Sequence, residues 1–536
     1  MSASPARAAS ADAAGRSGWL FGPVPDLLLG CGGAYAALTL LLFLMRPDMG
    51  RISPWLPLLI LVTGIPHYGA TLLRIAATPE DRRRYAMPAL SLSAAVLALF
   101  LAGLVSPRLG SWQITAYLSL SPWHYAAQNY GLTMLFLRRR GVQLDRRAAR
   151  WLRLSFVVSY LLVLLSYHQR NAAGGADPLY FASSGYRFVP VGISESVTQV
   201  AAPILLLIYA LTLTVAIRRM LRSARPQRLL PAGALLLSQF IWFSLPALGL
   251  LLARGRYPTH HVALAFIWIA VGHCVQYLWI SLYYQRRAQP GAEASAASPA
   301  LYLARATLVG AALWFVPAML FAPGALGRVT FDAGLGLLVA AAVNLHHFGL
   351  DGMIWKLRDP RLSSMLIAGD RSAAPGQRAA REGSSLLATS ALITVGGLSV
   401  FAWVAIAWEK EVGHRRAFAA GDLDRLEQAS LRLAALGRDG AQIHIALGTL
   451  HARQGRAAAA AIEFERSLRL QPTAAAWVAL GRLHRGRGDL RAAAAAYQEA
   501  LRLEPNHAAA RQLLEQIGQS SSQLSSAELL GKAAQR

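Results

Sequence analysis

The chain has 536 residues, enough for several domains, and only 15% of them are charged while 55% are hydrophobic. Its net charge of +26 suggests nucleic acid at first sight, but the arginines cluster in short stretches between apolar runs, which excludes a nucleic-acid interface and fits membrane topology. Two cysteines, Cys31 and Cys274, both inside apolar runs, exclude a disulfide framework and a Cys-x-x-Cys metal motif.

Residues 1–25 begin with MSASPARAASADAAGRS, which is small, polar and without the apolar core of a signal peptide, and read as a disordered tail. Residues 26–408 read as a polytopic transmembrane helix bundle, all-α, of about eleven spans. These fall at 26–45, 54–77, 86–105, 111–137, 151–168, 197–217, 229–253, 259–284, 301–322, 332–355 and 386–408. Each is long enough to cross a hydrocarbon layer of about 30 Å. The connections after the even-numbered spans hold most of the loop arginines, including Arg82–Arg84, Arg138–Arg140, Arg218, Arg219, Arg286 and Arg287. The positive-inside rule then places the N-terminus in the cytoplasm of an inner (plasma) membrane. An odd number of spans leaves the C-terminal region outside, in the periplasm of a cell with two membranes.

Four spans, all even-numbered and therefore parallel, contain ionisable or amide side chains. Span 2 has GIPHYGATLLR with His67, and span 4 has SPWHYAAQNYG with His124, Gln128 and Asn129. Span 8 has THHVALAFIWIAVGHCVQYLW with His260, His261, His273 and Gln276. Span 10 has VNLHHFGLDGMIWKLRDP with His346, His347 and Asp351. His67 follows Pro54 by 13 residues, His124 follows Ser111 by 13, His273 follows Thr259 by 14, and His346 follows Asp332 by 14. At about 1.5 Å per residue, all four lie roughly 20 Å below the outer surface. Imidazole is a common metal ligand, and several imidazoles converging on one cation offset the cost of burying each. His67, His124, His273, His346 and His347 are therefore the candidate metal ligands. His346 and His347 point about 100° apart, so one of them faces the common centre, and His347 shares a face with Asp351. Gln128, Gln276 and Asp351 are placed to orient the imidazoles from behind, with Asp351 alternatively a ligand itself. His260 and His261 lie near the outer surface and read as interfacial, as does His168.

After Trp408 the composition turns to Ala, Arg, Leu and Glu with Gly punctuation. Asp439–Pro472 and Ala474–Pro505 repeat with a spacing of 33, matching Leu447 with Leu480, Gly448 with Gly481, His451 with His484, Ala460 with Ala493, Phe464 with Tyr497 and Pro472 with Pro505. This pattern resembles the tetratricopeptide repeat, with histidine at the usual tyrosine position in both copies. Gly421–Leu436 reads as part of a degenerate earlier repeat and Ala508–Ile517 as a closing helix. Residues 409–518 thus read as a short α-solenoid offering a surface to a protein or peptide partner, and 519–536 as a flexible tail.

GIPHYGA in span 2 also resembles the Pro-His-Gly-Ala signature of the Brp/Blh family of carotene-cleaving membrane dioxygenases, with Tyr68 interrupting the motif. GHCVQY in span 8 is similar to that family's late His-x-x-x-His turn, with Tyr277 at its second position. The resemblance implies a histidine-bound iron within a polytopic bundle, maps onto His67, His273 and loosely His124, and implies a carotenoid-like substrate.

The expectation from the residues is a membrane-embedded metal-dependent oxygenase or hydroxylase acting on a lipid-soluble small molecule among the membrane lipids. Iron is the expected cofactor, with haem or copper as alternatives. Three other functions fit parts of the pattern: a haem protein for electron transfer, a lipid-linked glycosyltransferase or polymer ligase, and a non-enzymatic scaffold anchoring the repeats. The outer loop RPDMGRIS (Arg46–Ser53) lacks the paired carboxylates expected of a glycosyltransferase or polymer ligase.

Overall fold

A computed structural model describes residues 18–45, 59–169, 185–252, 259–288, 298–323, 325–368 and 386–519. The regular elements of the described residues are all helical, with no β-strand among them. The chain divides into two compact units. The first comprises Met1–Ala182, Tyr186–Val316 and Leu337–Val400, and the second comprises Ser183–Gly185, Pro317–Gly336 and Phe401–Arg536.

The long helices of the apolar region are α1 (Gly33–Met45), α2 (Ile65–Ile75), α3 (Pro79–Val105), α4 (Pro107–Arg139), α5 (Arg146–Tyr167), α6 (Glu195–Ser223), α7 (Pro226–Gln239), α8 (Thr259–Ala288), α9 (Pro299–Leu320), α10 (Gly336–Ile354) and α11 (Leu386–Trp408). Their starts follow from local chemistry. The Thr78, Ser106, Asp145 and Ser194 side chains accept the orphan N–H groups at the starts of α3, α4, α5 and α6, and Pro occupies the first turn of α3, α4 and α7. Wide π-turns at Ile60–Gly64 and Phe331–Leu335 lead directly into α2 and into α10.

The eleven expected spans are not supported. Among the described residues, six helices are long and apolar enough to cross a membrane, or seven if the pair Pro23–Gly30 and Gly33–Leu41, bent by 49°, forms one span. The physical reason is polarity and length. Helix α4 strings Gln113, His124, Gln128 and Asn129 along its length. Helix α2 has 11 residues, and the stretch 46–58 before it lies outside the described residues. Side chains of α8 and α11 are described only from Trp268 and Thr394 onward. The side chains of His260 and His261, and both chain ends expected to be tails, lie outside the described residues apart from Gly18–Pro25 and Gln519.

The first unit is apolar outward and polar inward. Leu90, Leu207 and Leu211 are more than half exposed, whereas Ser155, Ser159 and Thr212 are buried. Asn129 Nδ2 donates to Gln239 Oε1 at 3.0 Å, and Gln239 Nε2 donates to Ser159 Oγ at 3.2 Å, which lies 2.9 Å from Ser244 Oγ. Polar groups that bond across helices in this way avoid being stranded in an apolar medium. Arg74 is buried, ion-paired with Asp81 at 3.1 Å and stacked 3.7 Å above the Tyr284 ring, so it meets a carboxylate of its own chain. His168 is likewise buried, with Val191 N donating to its Nδ1 at 3.0 Å and Ser119 Oγ 2.9 Å from its Nε2.

The second unit holds the paired helices of the repeats. They are α12 (His414–Ala420), α13 (Leu423–Ala435), α14 (Ala441–Arg453), α15 (Ala457–Leu470), α16 (Ala474–Gly486) and α17 (Leu490–Leu503), followed by helical residues 508–519. Glycine at the repeat position makes room for the aromatic one helix later. A Cβ on Gly448 would stand 2.6 Å from the Phe464 ring, and one on Gly481 would stand 2.5 Å from the Tyr497 ring. Both rings are buried.

His444 of α14 lies between two carboxylates, with Glu463 Oε2 at 2.6 Å and Asp439 Oδ1 at 2.7 Å. Burial opposes its charge, but the two carboxylates outweigh burial and raise the imidazole above its ordinary range. Hydrogen bonding to His444 holds Glu463 below its ordinary range, and Asp439 is held low in spite of burial. Stabilisation from His444 is complete below its unfolded pKa of about 6.5 and is lost as pH rises through the raised folded value. Stabilisation from the carboxylates is present above about pH 4 and is lost as pH falls through their lowered values. Amide hydrogen exchange across Ala441–Arg453, corrected for intrinsic rates, should therefore be slowest near pH 5–6 and faster at pH 8. The alkaline dependence should vanish in His444→Gln, and an unchanged profile in that variant would remove this account.

Candidate metal centre

Four helices bring one imidazole each to a common point. His67 sits in the first turn of α2, His124 in the middle of α4, His273 in the middle of α8 and His347 in the last half of α10. His67 Nε2 and His273 Nε2 are 3.1 Å apart. Ring centroids are separated by 4.1 Å for His67 and His347, 4.9 Å for His67 and His273, 4.9 Å for His124 and His273, and 5.0 Å for His124 and His347. The four rings thus form a closed circuit of neighbours. Asp351, one turn after His347, puts Oδ2 3.4 Å from His347 Nε2 and 3.7 Å from His124 Nε2. His67, His273, His347 and Asp351 are buried, and His124 keeps 12% of its side-chain surface.

Two sets of possible ligands follow, His67 with His273 and His347, and His124 with His347 and Asp351. Within each set the ligand atoms lie within 4.8 Å of one another. Bonds of about 2.0–2.2 Å put ligand atoms on one ion about 3–3.6 Å apart, so the separations of 3.1, 3.4 and 3.7 Å need little adjustment to hold one. His67 Nδ1, His124 Nε2, His273 Nδ1 and His347 Nε2 are buried without a hydrogen-bond partner. Buried nitrogen left unpaired is costly, and a cation is one way to satisfy it.

Two sequence expectations are corrected. His346 does not join the cluster. It points to α3, with Ser93 Oγ 2.9 Å from its Nε2, because neighbouring residues on a helix diverge by about 100°. Gln128 and Gln276 do not accept from the imidazoles. Gln128 Nε2 donates to Gln276 Oε1 at 3.0 Å and to the His273 carbonyl at 3.3 Å, so the two amides brace α4 against α8 from beside the cluster.

The residues that touch the imidazole and carboxylate from behind are Thr71 and Tyr277, with Trp355 bonded in turn to Tyr277. Thr71 Oγ1 lies 2.8 Å from His347 Nδ1 and 2.9 Å from Tyr277 Oη. Tyr277 Oη donates to Asp351 Oδ1 at 2.8 Å and accepts from Trp355 Nε1 at 3.1 Å. Sequence reasoning missed Thr71 and Tyr277, yet a signal was available. Each histidine is followed four residues later by a polar side chain on the same face, as His67/Thr71, His124/Gln128, His273/Tyr277 and His347/Asp351.

A cavity of about 340 Å³ opens beside the cluster, lined by Trp123, His124, Phe348, Asp351, Trp355 and further apolar residues of α4, α8 and α10. Its size and mainly apolar walls with a few polar groups suit a small apolar ligand. Leu120 and Trp123, which also line it, keep 41% and 39% of their surface exposed.

Compared with known proteins, residues 474–507 match the tetratricopeptide repeat family. No curated protein and no solved structure matches the chain. The resemblance of the span 2 and span 8 motifs to the Brp/Blh dioxygenases therefore gains no support. The C-terminal region carries a tetratricopeptide repeat, and the helical region before it is characterised by its own geometry alone.

Proposed function

We propose that the helical region is a membrane-embedded, metal-dependent oxygenase or hydroxylase of a lipid-soluble substrate, with iron as cofactor. The observation that carries this reading is the convergence of four imidazoles, three of them buried, and a buried carboxylate beside an apolar cavity. Imidazole and carboxylate donors with open positions suit non-haem iron, which when bound supplies the activation of dioxygen. The chain's own residues do the rest. Trp123, Phe348 and Trp355 exclude water and hold an apolar chain beside His124 and Asp351. Tyr277 holds a proton at its hydroxyl, against Asp351. Dioxygenation places both oxygen atoms in the substrate. Hydroxylation places one there, releases the other as water and draws two electrons and two protons from an external reductant.

Haem fits less well. A haem held by two of these imidazoles would need room between them for its macrocycle. His67 Nε2 and His273 Nε2 stand at 3.1 Å. In this reading the arginine-bearing helix ends lie on the cytoplasmic side and the repeats lie outside. The repeats engage a protein or peptide partner there.

The test is elemental analysis and visible spectroscopy of full-length protein purified in detergent without chelator. About one iron or more per chain with no Soret band is expected. A Soret band selects haem, and protein free of any transition metal overturns the reading.

A further inference from the structure

Within the cluster the two possible ligand sets are not equivalent, and the hydrogen bonds behind them say which one a cation takes. Trp355 Nε1 can only donate, so Tyr277 Oη is its acceptor. Tyr277 has one proton, and Asp351 Oδ1 at 2.8 Å receives it. Thr71 Oγ1, 2.9 Å from the same phenol oxygen, must then donate to it, in preference to the 3.4 Å contact with the His67 carbonyl. With its proton spent, Thr71 can only accept from His347, 2.8 Å away, so His347 carries its proton on Nδ1. His347 Nε2 is left with a bare lone pair, 3.4 Å from Asp351 Oδ2 and not in hydrogen-bond geometry with it. His124 Nε2 lies 3.7 Å from the same oxygen, also without a hydrogen-bond partner.

His67 and His273 differ. Their Nε2 atoms face each other at 3.1 Å as a hydrogen-bonded pair, and neither residue lines the cavity. His124 and Asp351 do line it. A cation between His124, His347 and Asp351 would therefore keep its remaining positions open to the cavity, while one centred on His67 and His273 would be walled off from it.

We propose that the cation sits at the cavity-facing corner, bound by His124 Nε2, His347 Nε2 and Asp351 Oδ2. His67 and His273 form a hydrogen-bonded pair beside it, and Thr71, Tyr277 and Trp355 act as positioning residues. The inference rests on the metal reading above and sharpens it to a set of two histidines and one carboxylate, the arrangement that leaves a face of the ion open to substrate and dioxygen.

The test uses full-length protein in detergent, stripped with chelator and titrated with cobalt(II), whose visible bands report binding and geometry. Wild type is expected to take up one cobalt per chain at this corner. Asp351→Asn and His124→Gln should each weaken binding by more than about a hundredfold, and His67→Gln should stay within about tenfold of wild type. Tyr277→Phe should weaken binding by about 10–100-fold and shift the cobalt bands, which a packing defect alone would not do. Thermal melting of the metal-free proteins identifies any variant that fails to fold, and Asp351→Asn and His124→Gln serve as alternates for each other. Loss in His67→Gln equal to or greater than loss in Asp351→Asn or His124→Gln overturns the corner assignment while leaving a metal centre standing. No cobalt uptake by wild type overturns both readings.

Discussion

His347→Gln is expected to release the bound metal, with affinity falling by more than about a hundredfold, the largest functional loss of any single substitution in the bundle. His347 is the one residue common to both possible ligand sets, so neither arrangement survives its removal. It also links the cluster to its surroundings, since its Nδ1 lies 2.8 Å from Thr71 Oγ1 and its ring centroid 4.1 Å from that of His67. Glutamine keeps much of the volume and one donor, so folding should be affected far less than metal content. His346→Gln, one residue earlier, is the matched control. Its imidazole meets Ser93 Oγ, and losing that bond costs about 1 kcal/mol with no path to the cation. Metal content per chain after size-exclusion chromatography separates the two. Equal metal in wild type and His347→Gln would sink the assignment of His347.

Much of the cluster is legible because counting residues along a helix converts to distance along its axis. Counting from the outer boundary put His67, His124, His273 and the His346–His347 pair in one layer, and the structure brings His67, His124, His273 and His347 together. The i,i+4 relation of His347 to Asp351 marked the right member of the pair, since both lie on the face that meets α4. Depth alone says nothing about rotation about a helix axis, which is why Gln128 and Gln276 were assigned to the imidazoles and turn out to bond each other. Thr71 and Tyr277 escaped because hydroxyl groups in apolar helices are ordinary. They gain meaning only when the spacing of four from His67 and from His273 is compared across helices. The eleven expected crossings lack support for a related reason. Helix α4 is as long as a span and partly apolar, but its Gln113, His124, Gln128 and Asn129 belong to an interior that other helices must cover. The repeat was the most legible part, since a period of 33 with Gly opposite an aromatic leaves few alternatives, and Gly481 does sit 2.5 Å, at a Cβ, from the Tyr497 ring.

Gly310→Ala is expected to destabilise the bundle by about 3 kcal/mol or more, although glycine-to-alanine changes inside helices ordinarily stabilise by about 0.5–1 kcal/mol. A Cβ on Gly310 would stand 1.9 Å from the carbonyl oxygen of Ile65, and a Cβ on Gly69 would stand 1.9 Å from that of Ala306. Both obstacles are backbone, which cannot rotate aside as a side chain does. Helices α2 and α9 therefore cross in direct backbone contact, glycine against carbonyl on each side, as small residues permit in an apolar medium. A methyl group at either position must push the two helices apart. Because His67 lies between Ile65 and Gly69, any such displacement also moves His67 relative to His273, its partner at 3.1 Å. Thermal unfolding in detergent checks the prediction, with Gly233→Ala in α7 as the counter-case. No atom lies within 4 Å of a Cβ at Gly233, so that change should raise stability by the ordinary helix-propensity gain. Opposite signs at two helical glycines would show that the crossing, and not helix propensity, sets the response. A neutral or stabilising Gly310→Ala would mean that α2 and α9 do not approach this closely, and the position of His67 would have to be revised with them.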